Sequence, residues 1–375
     1  MKKIFLCLVI ISLTNSDYCS ALEPDLKSQI EQIVKSQLKD ENIQGAVIFT
    51  GKDSNDIFFD SFGLRMSVPY SQAMTKDTLF DIASLSKPVS TAVSILILFD
   101  KGKLNLDESV SKYIDRFGCN GKQGIKIKHL LSHTSGLPAY MDSEELRKNF
   151  GTPCPDKVID KICSLNLSYL PGEKMEYSCL GYIILGKIVE IVSGKRLDVF
   201  ANDNIFAPLG MKDTFYNPPV SLSNRIAATE VIDGKVNLGI VHDPLAKLMA
   251  GVSGNAGVFT TANDLAIFCR MLLNNGTIQG RQILSPRCVK LLTEQQCLGR
   301  AYGFDVSSGY SWIKGNCFSE KAFCHSGFTG TSIVCDPSTK VFVIILTNKV
   351  HPYNKGSIKQ LRIKIADAAC RSLCN

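Results

Sequence analysis

The sequence predicts an α+β protein in which a sheet is assembled from both ends of the chain and a helical region is inserted between them. Three observations carry this expectation. Two β-rich runs, 45–50 and 56–62, lie near the start, and two more, 331–335 and 341–346, lie near the end. Between them apolar residues recur at helical spacing, over 181–192 and 262–273. Strands at the termini with helices between them are the pattern of a segregated α+β architecture, not of alternating βαβ units. The composition supplies the core: 45% of the 375 residues are hydrophobic and 21% charged, as in globular chains.

The elements follow in order. Lys2-Lys3, the apolar run Ile4 to Leu13 and the small-residue site Cys19-Ser20-Ala21 read as a cleavable export signal over residues 1–21. The run is too short to span a bilayer, and no later segment offers an uninterrupted membrane-length apolar stretch. A lipid anchor on Cys19 is the competing idea, but Asp17-Tyr18 is a poor match to the small residues such a site prefers. Residues 22–375 then form one domain, with the helical region at roughly 84–320. Leu22 to Asp40 is an amphipathic helix, with Leu26, Ile30, Ile33, Val34 and Leu38 on one side. The strands 45–50 and 56–62 meet at Asp53-Ser54-Asn55 as a hairpin. A loop-rich stretch, 118–172, carries the turn signals Gly136-Leu137-Pro138 and Leu170-Pro171-Gly172. The two long helices are stopped by Ser193-Gly194 and Asn274-Asn275-Gly276. Asp336-Pro337-Ser338 turns the last hairpin, and 358–373 is a closing helix.

Charge and cysteine usage narrow the function classes. The net charge of +7 is spread along the chain without an aromatic-interleaved basic stripe, which argues against nucleic acid as a partner. Of 14 cysteines, 12 follow the export signal, an even number in an oxidising compartment, so some disulfides are expected. Cys317, Cys324 and Cys335 cluster, as do Cys370 and Cys374, but pairing cannot be read from spacing. No Cys-x-x-Cys or Cys/His spacing suggests zinc, and neither metal nor cofactor is expected.

The chemistry centres on Ser84-Leu85-Ser86-Lys87. Residues three apart share a helix face, so an unprotonated Lys87 could take the proton of Ser84 as its oxygen attacks a carbonyl. Pro88 falls in the first turn, where its missing N–H costs nothing, and the residues that follow are apolar on most sides, the mark of a buried helix. Ser-x-x-Lys occurs three more times, at 36–39, 109–112 and 311–314, but none of those opens a long buried helix. By itself such a tetrapeptide far more often marks a cap or a solvated face than a nucleophile.

Its context decides. Phe80 to Lys87, Gly102 to Asp107, Leu130 to Pro138, Pro171-Gly172 with Tyr177-Ser178, Pro208 to Met211, Gly254 to Phe259 and His325 to Thr331 together closely resemble the landmarks of the class C β-lactamase and penicillin-binding protein family, in that family's order. The resemblance covers nearly the whole mature chain. It implies a β-lactamase/transpeptidase-like fold, an antiparallel sheet flanked by helices beside a mostly helical region, with the site in the cleft. It further implies Ser84 as nucleophile, Lys87 and Tyr177 as proton shuttles with the Tyr177 phenolate favoured by nearby positive charge, and an oxyanion hole from the backbone N–H groups of Ser84 and Phe328. His325, Ser326, Gly327 and Phe328 would form the substrate-binding strand. His133 is expected to brace turns, and Asn255 to approach the cleft. A Gly-x-Ser-x-Gly elbow is absent, which argues against the α/β-hydrolase route.

Two positions depart from the commonest pattern. Cys179 stands where many relatives carry Asn, and His325 where many carry Lys. Histidine titrates near pH 6.5, so His325 is expected to interact in a pH-dependent way with a substrate carboxylate or with Tyr177. The resulting expectation is an exported serine hydrolase of amide or ester bonds, first a D,D-carboxypeptidase or peptidase of cell-wall peptides. β-Lactamase and esterase activity are the alternatives within the enzyme class, and a catalytically weak binder of cell-wall peptides is the alternative outside it.

Overall fold

The computed structural model describes residues 16–374, with side chains from Leu26 onward; the charged start and apolar core of the expected export signal lie outside the described residues. Six strands form the main sheet: β1 Gly45–Lys52, β2 Asn55–Met66, β3 Gln72–Ala73, β4 Phe323–Ser326, β5 Ser332–Asp336 and β6 Val341–Thr347. Their order is β4-β5-β6-β1-β2-β3 and every pairing is antiparallel. The two ends of the chain meet in the middle, where β1 pairs β6 with Val47 opposite Leu346. Both sequence-predicted hairpins therefore exist, each longer than its apolar run, because ladder hydrogen bonds extend past the residues that bury side chains.

Helices α1 Ser16–Lys39, α2 Val93–Asp100, α3 Cys179–Ser193, α4 Ala262–Leu273 and α5 Lys359–Leu373 supply most of the cover. Successive strand residues face opposite sides. Ala46, Ile48, Val343 and Ile345 join one cluster with Leu26, Ile30 and Val34 of α1 and Leu361, Ile365 and Ala369 of α5. Val47, Phe49, Phe342, Ile344 and Leu346 join the larger cluster, which includes residues of α2, α3 and α4. Both faces being covered explains why these strands are apolar at every position rather than alternating. Truncating one such residue, Ile30 for example, removes contacts worth about 2–5 kcal/mol. Ala83–Asp100 is long and apolar enough to cross a membrane, yet 83% of it is buried inside the molecule, as a core helix is.

A second, three-stranded sheet positions the site. Phe80–Asp81 and Phe215–Tyr216 both pair with Val258–Thr260, so the chain enters the Ser84 turn from a fixed register, Phe80 opposite Thr260. The segment that precedes Val258 is thereby brought under the start of the Ser84 helix.

Candidate active site

The Ser84 helix does not begin as a regular α-helix. Ala83–Leu85 is a 3₁₀ turn, Lys87–Ala92 a wider π turn, and regular α geometry starts at Val93. Across this irregular entry Lys87 Nζ lies 3.0 Å from Ser84 Oγ, three residues earlier in the chain. Ala83 is held at φ 47°, in the left-handed region that side chains other than Gly disfavour, and its N–H is bound to Asp81 Oδ1 at 2.8 Å. Such strain persists where surrounding contacts over-determine it.

Lys87 is fully buried and donates to three acceptors: Ser84 Oγ, the Asn255 carbonyl at 2.9 Å and Cys179 Sγ at 3.4 Å. Three acceptors fit the three protons of an ammonium. Burial opposes that charge, but Cys179, Tyr177 and Asp243 favour it, and the balance holds the Lys87 pKa above the ordinary lysine value. Burial likewise pushes the Tyr177 phenol up, and Lys87 only partly offsets this. Both expectations of a pre-formed base, a neutral Lys87 and a Tyr177 phenolate, are thus corrected for the resting protein: the pair holds one proton too many. The physical reason is desolvation, which penalises the phenolate more than the nearby ammonium favours it.

Tyr177 sits at the entry to α3, whose N-cap Ser178 accepts from Gly181 N–H at 3.3 Å. Ser178 N–H donates to His133 Nδ1 at 3.0 Å, and the His133 ring stacks on Tyr177 with centroids 4.3 Å apart. His133 therefore braces, as expected, and the group it braces is the phenol. The Lys87 ammonium lies 4.9 Å from the Tyr177 ring centre. Asn255 approaches the site through its carbonyl rather than its amide. Gly254 makes this possible: a Cβ there would lie 1.9 Å from the Tyr182 carbonyl oxygen.

The opposite wall is the end of β4. A Cβ at Gly327 would meet Thr331 Oγ1 at 2.3 Å and the Ile82 carbonyl at 2.4 Å, so only glycine lets this strand end close on the Ser84 turn. Thr331 Oγ1 donates to the Ile82 carbonyl at 3.0 Å and Thr329 Oγ1 to the Asp81 carbonyl at 2.7 Å, which pins the two walls together. In the hydrogen-bond network of the described residues the backbone N–H groups of Ser84 and Phe328 are left unused. They are free to receive an oxyanion. A 290 Å³ pocket between the walls is lined by Ser84, Tyr177, His325, Ser326, Gly327 and Phe328 together with Tyr310, the cations Lys349 and Arg362 and the carboxylate Asp305. Of the residues expected to act in the site, Ser84, Tyr177, His325, Ser326, Gly327 and Phe328 line this pocket, and Lys87 bonds to Ser84 beside it, whereas Cys179 and Asn255 meet Lys87 outside the pocket lining.

His325 departs from its expected behaviour. It is 2% exposed, and burial, Arg300 and Lys87 hold its pKa well below the ordinary histidine value. Its Nδ1 lies 3.0 Å from the Ser326 carbonyl, which can only accept, so Nδ1 carries the proton and Nε2 is a bare lone pair without a partner. A neutral acceptor does not attract a carboxylate, and the expected titration between pH 5 and 8 is corrected accordingly. The cysteine expectation resolves into one bridge among the described residues, Cys317–Cys370, which joins the two sequence clusters; ten other cysteines are free.

Sequence reading missed a buried ion pair beneath the phenol. Arg300 is fully buried, contacts Asp305 through Nη1, and places its guanidinium carbon 5.9 Å from the Tyr177 ring centre. No local spacing signals it, because 123 positions separate the charge from the ring it faces. Among the described residues no three His, Cys, Asp or Glu side chains gather closely enough to hold a metal.

Comparison with known proteins agrees with this geometry. The Beta-lactamase family model matches residues 30–368. An N-acetylmuramyl-L-alanine amidase of Bacillus subtilis (strain 168) is 31% identical over 357 residues, 86% of this chain and 81% of that protein. An Escherichia coli (strain K12) protein provisionally named D-alanyl-D-alanine carboxypeptidase is 30% identical over 335 residues, 80% of this chain and 77% of its own. A penicillin-binding protein homologue from Caulobacter crescentus superposes with a TM-score of 0.75 at 22% identity, over 93% of this chain and 98% of that one. The matched family model, the shared architecture and the relatives together place the chain in the beta-lactamase family, as a serine hydrolase.

Proposed function

We propose that the protein is an exported D,D-carboxypeptidase or closely related peptidase of cell-wall peptides, working through an acyl-enzyme on Ser84. One observation carries the reading: Ser84 Oγ lies 3.0 Å from Lys87 Nζ at the edge of a pocket that also holds Tyr177 and the cations Lys349 and Arg362. The carboxylate in that pocket, Asp305, is already paired with Arg300, which leaves the two cations to suit a substrate ending in a free carboxylate. The relatives' names, an amidase and a provisional carboxypeptidase, point the same way. The lysine-rich apolar start and the Cys317–Cys370 bridge support export to an oxidising compartment.

The reaction begins with loss of one proton from the Lys87 and Tyr177 pair. Ser84 Oγ attacks the carbonyl carbon as its proton passes to the deprotonated pair, and the carbonyl oxygen gathers charge against the N–H groups of Ser84 and Phe328. The tetrahedral centre collapses when Tyr177 returns the proton to the leaving nitrogen, breaking the amide bond and leaving Ser84 acylated. Water, deprotonated by the same pair, then attacks the ester carbonyl, and the pair returns that proton to Ser84 Oγ as the Oγ–acyl bond breaks and the acid is freed. Cys179 favours esters as a second reading, because a thiol replaces the amide that would otherwise grip an acylamino group.

Labelling with a fluorescent penicillin and a fluorophosphonate tests the nucleophile, and turnover of a D-Ala-D-Ala peptide, a chromogenic cephalosporin and a short-chain ester ranks the substrates. Ser84→Ala should abolish labelling and lower turnover by about 10⁴-fold or more while the protein stays folded. A wild-type protein silent toward both labels and all substrates would make it a binder instead. N-terminal sequencing of protein from the producing cell should find a mature start at Leu22.

A further inference from the structure

The two oxyanion donors are held by different means. On the Ser84 side, Asp81 Oδ1 fixes the Ala83 N–H and Thr331 Oγ1 binds the Ile82 carbonyl. On the strand side, Gly327-Phe328-Thr329-Gly330 makes a tight turn, closed by Gly330 N–H on the Gly327 carbonyl at 3.1 Å, while Gly327 N–H donates to the Thr331 carbonyl at 2.8 Å. Behind this turn stands Arg362, in the first turn of α5. Its Nη2 donates to the Gly327 carbonyl at 3.1 Å and to the Thr331 carbonyl at 2.8 Å, so one guanidinium grips both ends of the turn.

This is an uncommon use of a buried charge. Among the described residues Arg362 forms no ion pair with a carboxylate, and Asp305, the carboxylate of the same pocket, is taken by Arg300. Burial lowers the Arg362 pKa to about 10, which leaves it a cation at neutral pH. Leu361 and Ile365 of the same helix are fully buried and Cys370 is bridged to Cys317, so the guanidinium sits on a fixed platform. Both carbonyls already have an N–H partner, so satisfying them does not require a cation. A buried cation directed at two satisfied neutral carbonyls needs a cause. The Gly327–Phe328 peptide supplies it. A planar trans peptide points its N–H directly away from its C=O, so fixing the Gly327 carbonyl fixes the direction of the Phe328 N–H. A cation on the carbonyl oxygen also draws electron density from the nitrogen, which makes that N–H a stronger donor.

We propose that Arg362 is a positioning residue for the oxyanion hole: through the Gly327 carbonyl it aims and polarises the Phe328 N–H that receives the substrate oxygen. The assignment rests on the reading that Ser84 is acylated. It differs from a carboxylate anchor, because it serves every acyl substrate, charged or neutral. Lys349, the other cation of the pocket, lies 5.2 Å from the Phe328 ring centre and donates to Asn354 Oδ1 at 2.9 Å, not to the turn.

p-Nitrophenyl acetate, which has no carboxylate, separates the two roles. Loss of an oxyanion donor costs about 100-fold to 1000-fold; Arg362→Met leaves the donor in place but unaimed, so kcat on this ester should fall about 10-fold to 100-fold with KM nearly unchanged. Arg362→Lys keeps the charge and should recover most of that loss. Arg362→Gln keeps only a neutral N–H donor and should recover less, and it serves with Arg362→Lys where Arg362→Met fails to fold. Phenylboronic acid gives a readout without turnover: Ser84 Oγ adds to boron as its proton passes to the deprotonated Lys87 and Tyr177 pair, and a boronate oxygen takes the oxyanion position. Its Kd should weaken in each variant in proportion to kcat. Work at about pH 8 keeps His325 neutral, since the Arg362 charge also lowers that pKa. An ester kcat and a boronate Kd unchanged in Arg362→Met or Arg362→Gln, with only the KM of a D-Ala-D-Ala peptide raised, overturn the assignment and make Arg362 a carboxylate anchor. Equal losses in the Lys and Gln variants overturn the role of its charge. A wild type that turns nothing over yet binds boronate, with affinity lost in the variants, upholds the assignment and overturns the hydrolase reading; a wild type that neither binds boronate nor turns over the ester overturns both.

Discussion

The two walls of the cleft are built on different principles. On the Ser84 wall every proton of Lys87 has an acceptor, Ser86 Oγ accepts from Val258 N–H at 3.0 Å, and Thr91 Oγ1 donates to the Gly254 carbonyl at 2.8 Å. On the facing side the Tyr177 hydroxyl, His325 Nε2 and the Arg300 nitrogens Nε and Nη2 have no hydrogen-bond partner. Buried polar groups are normally satisfied, so the exceptions need a cause. The nucleophile is wired before substrate arrives, whereas the wall that meets the substrate keeps donors and acceptors in reserve. The first arrangement gives rigidity and the second leaves bonds for a ligand to make.

That contrast can be broken or sharpened by experiment. The largest effect belongs to the junction of the walls: Gly327→Ala drives a methyl into Thr331 Oγ1 and the Ile82 carbonyl, and displacing the strand by about 1 Å should lower kcat/KM about 100-fold. Activity within a few-fold of wild type would mean the walls are not held in register there. Arg300→Met comes next. It leaves Asp305 charged and buried, and urea unfolding should report a loss of about 3–5 kcal/mol, partly restored by adding Asp305→Leu. No loss would show that the ion pair is dispensable to the wall behind Tyr177.

The strand wall is also tied across the chain, since Cys317, just before β4, is bridged to Cys370 of α5 over a 53-residue separation. Replacing both cysteines by Ser should cost about 2–4 kcal/mol by chemical unfolding. The smallest effect per step is pH-dependent. His133 and His325 are 1% and 2% exposed and burial depresses both pKa values, so their contribution is full above about pH 6.5 and declines as pH falls toward the depressed values. Each should cost about 1.4 kcal/mol per pH unit in that window, seen as a falling Tm that His133→Gln or His325→Gln makes shallower. The kcat/KM profile should show no inflection near pH 6.5 and should rise with pH, because the pKa values of Lys87 and Tyr177 are both raised and the reactive form has lost a proton. A histidine-like inflection would restore a titrating His325.

Much of this was legible in local sequence. The 3.6-residue spacing of Leu26, Ile30 and Val34 fixed the face of α1, and Ser178 with Gly194 fixed the ends of α3, because caps and periodicity act within one turn. Ser84 and Lys87 were placed by a three-residue offset, and the ordered landmarks supplied Tyr177 and His325. The protonation states were not legible. A lysine, a tyrosine and a histidine carry their ordinary values in a string of letters, and it is depth of burial and the identity of neighbours that shift them.

The chain by itself therefore determined which residues gather at the cleft and which segments make the sheet, since both follow from patterns a few residues long or from motifs in fixed order. Only the folded molecule decided that Lys87 rests as an ammonium, that His325 is neutral and that Arg300 lies beneath Tyr177. Electrostatics falls off with distance in space rather than along the chain, so residues far apart in sequence set each other's charge only once the fold has brought them together.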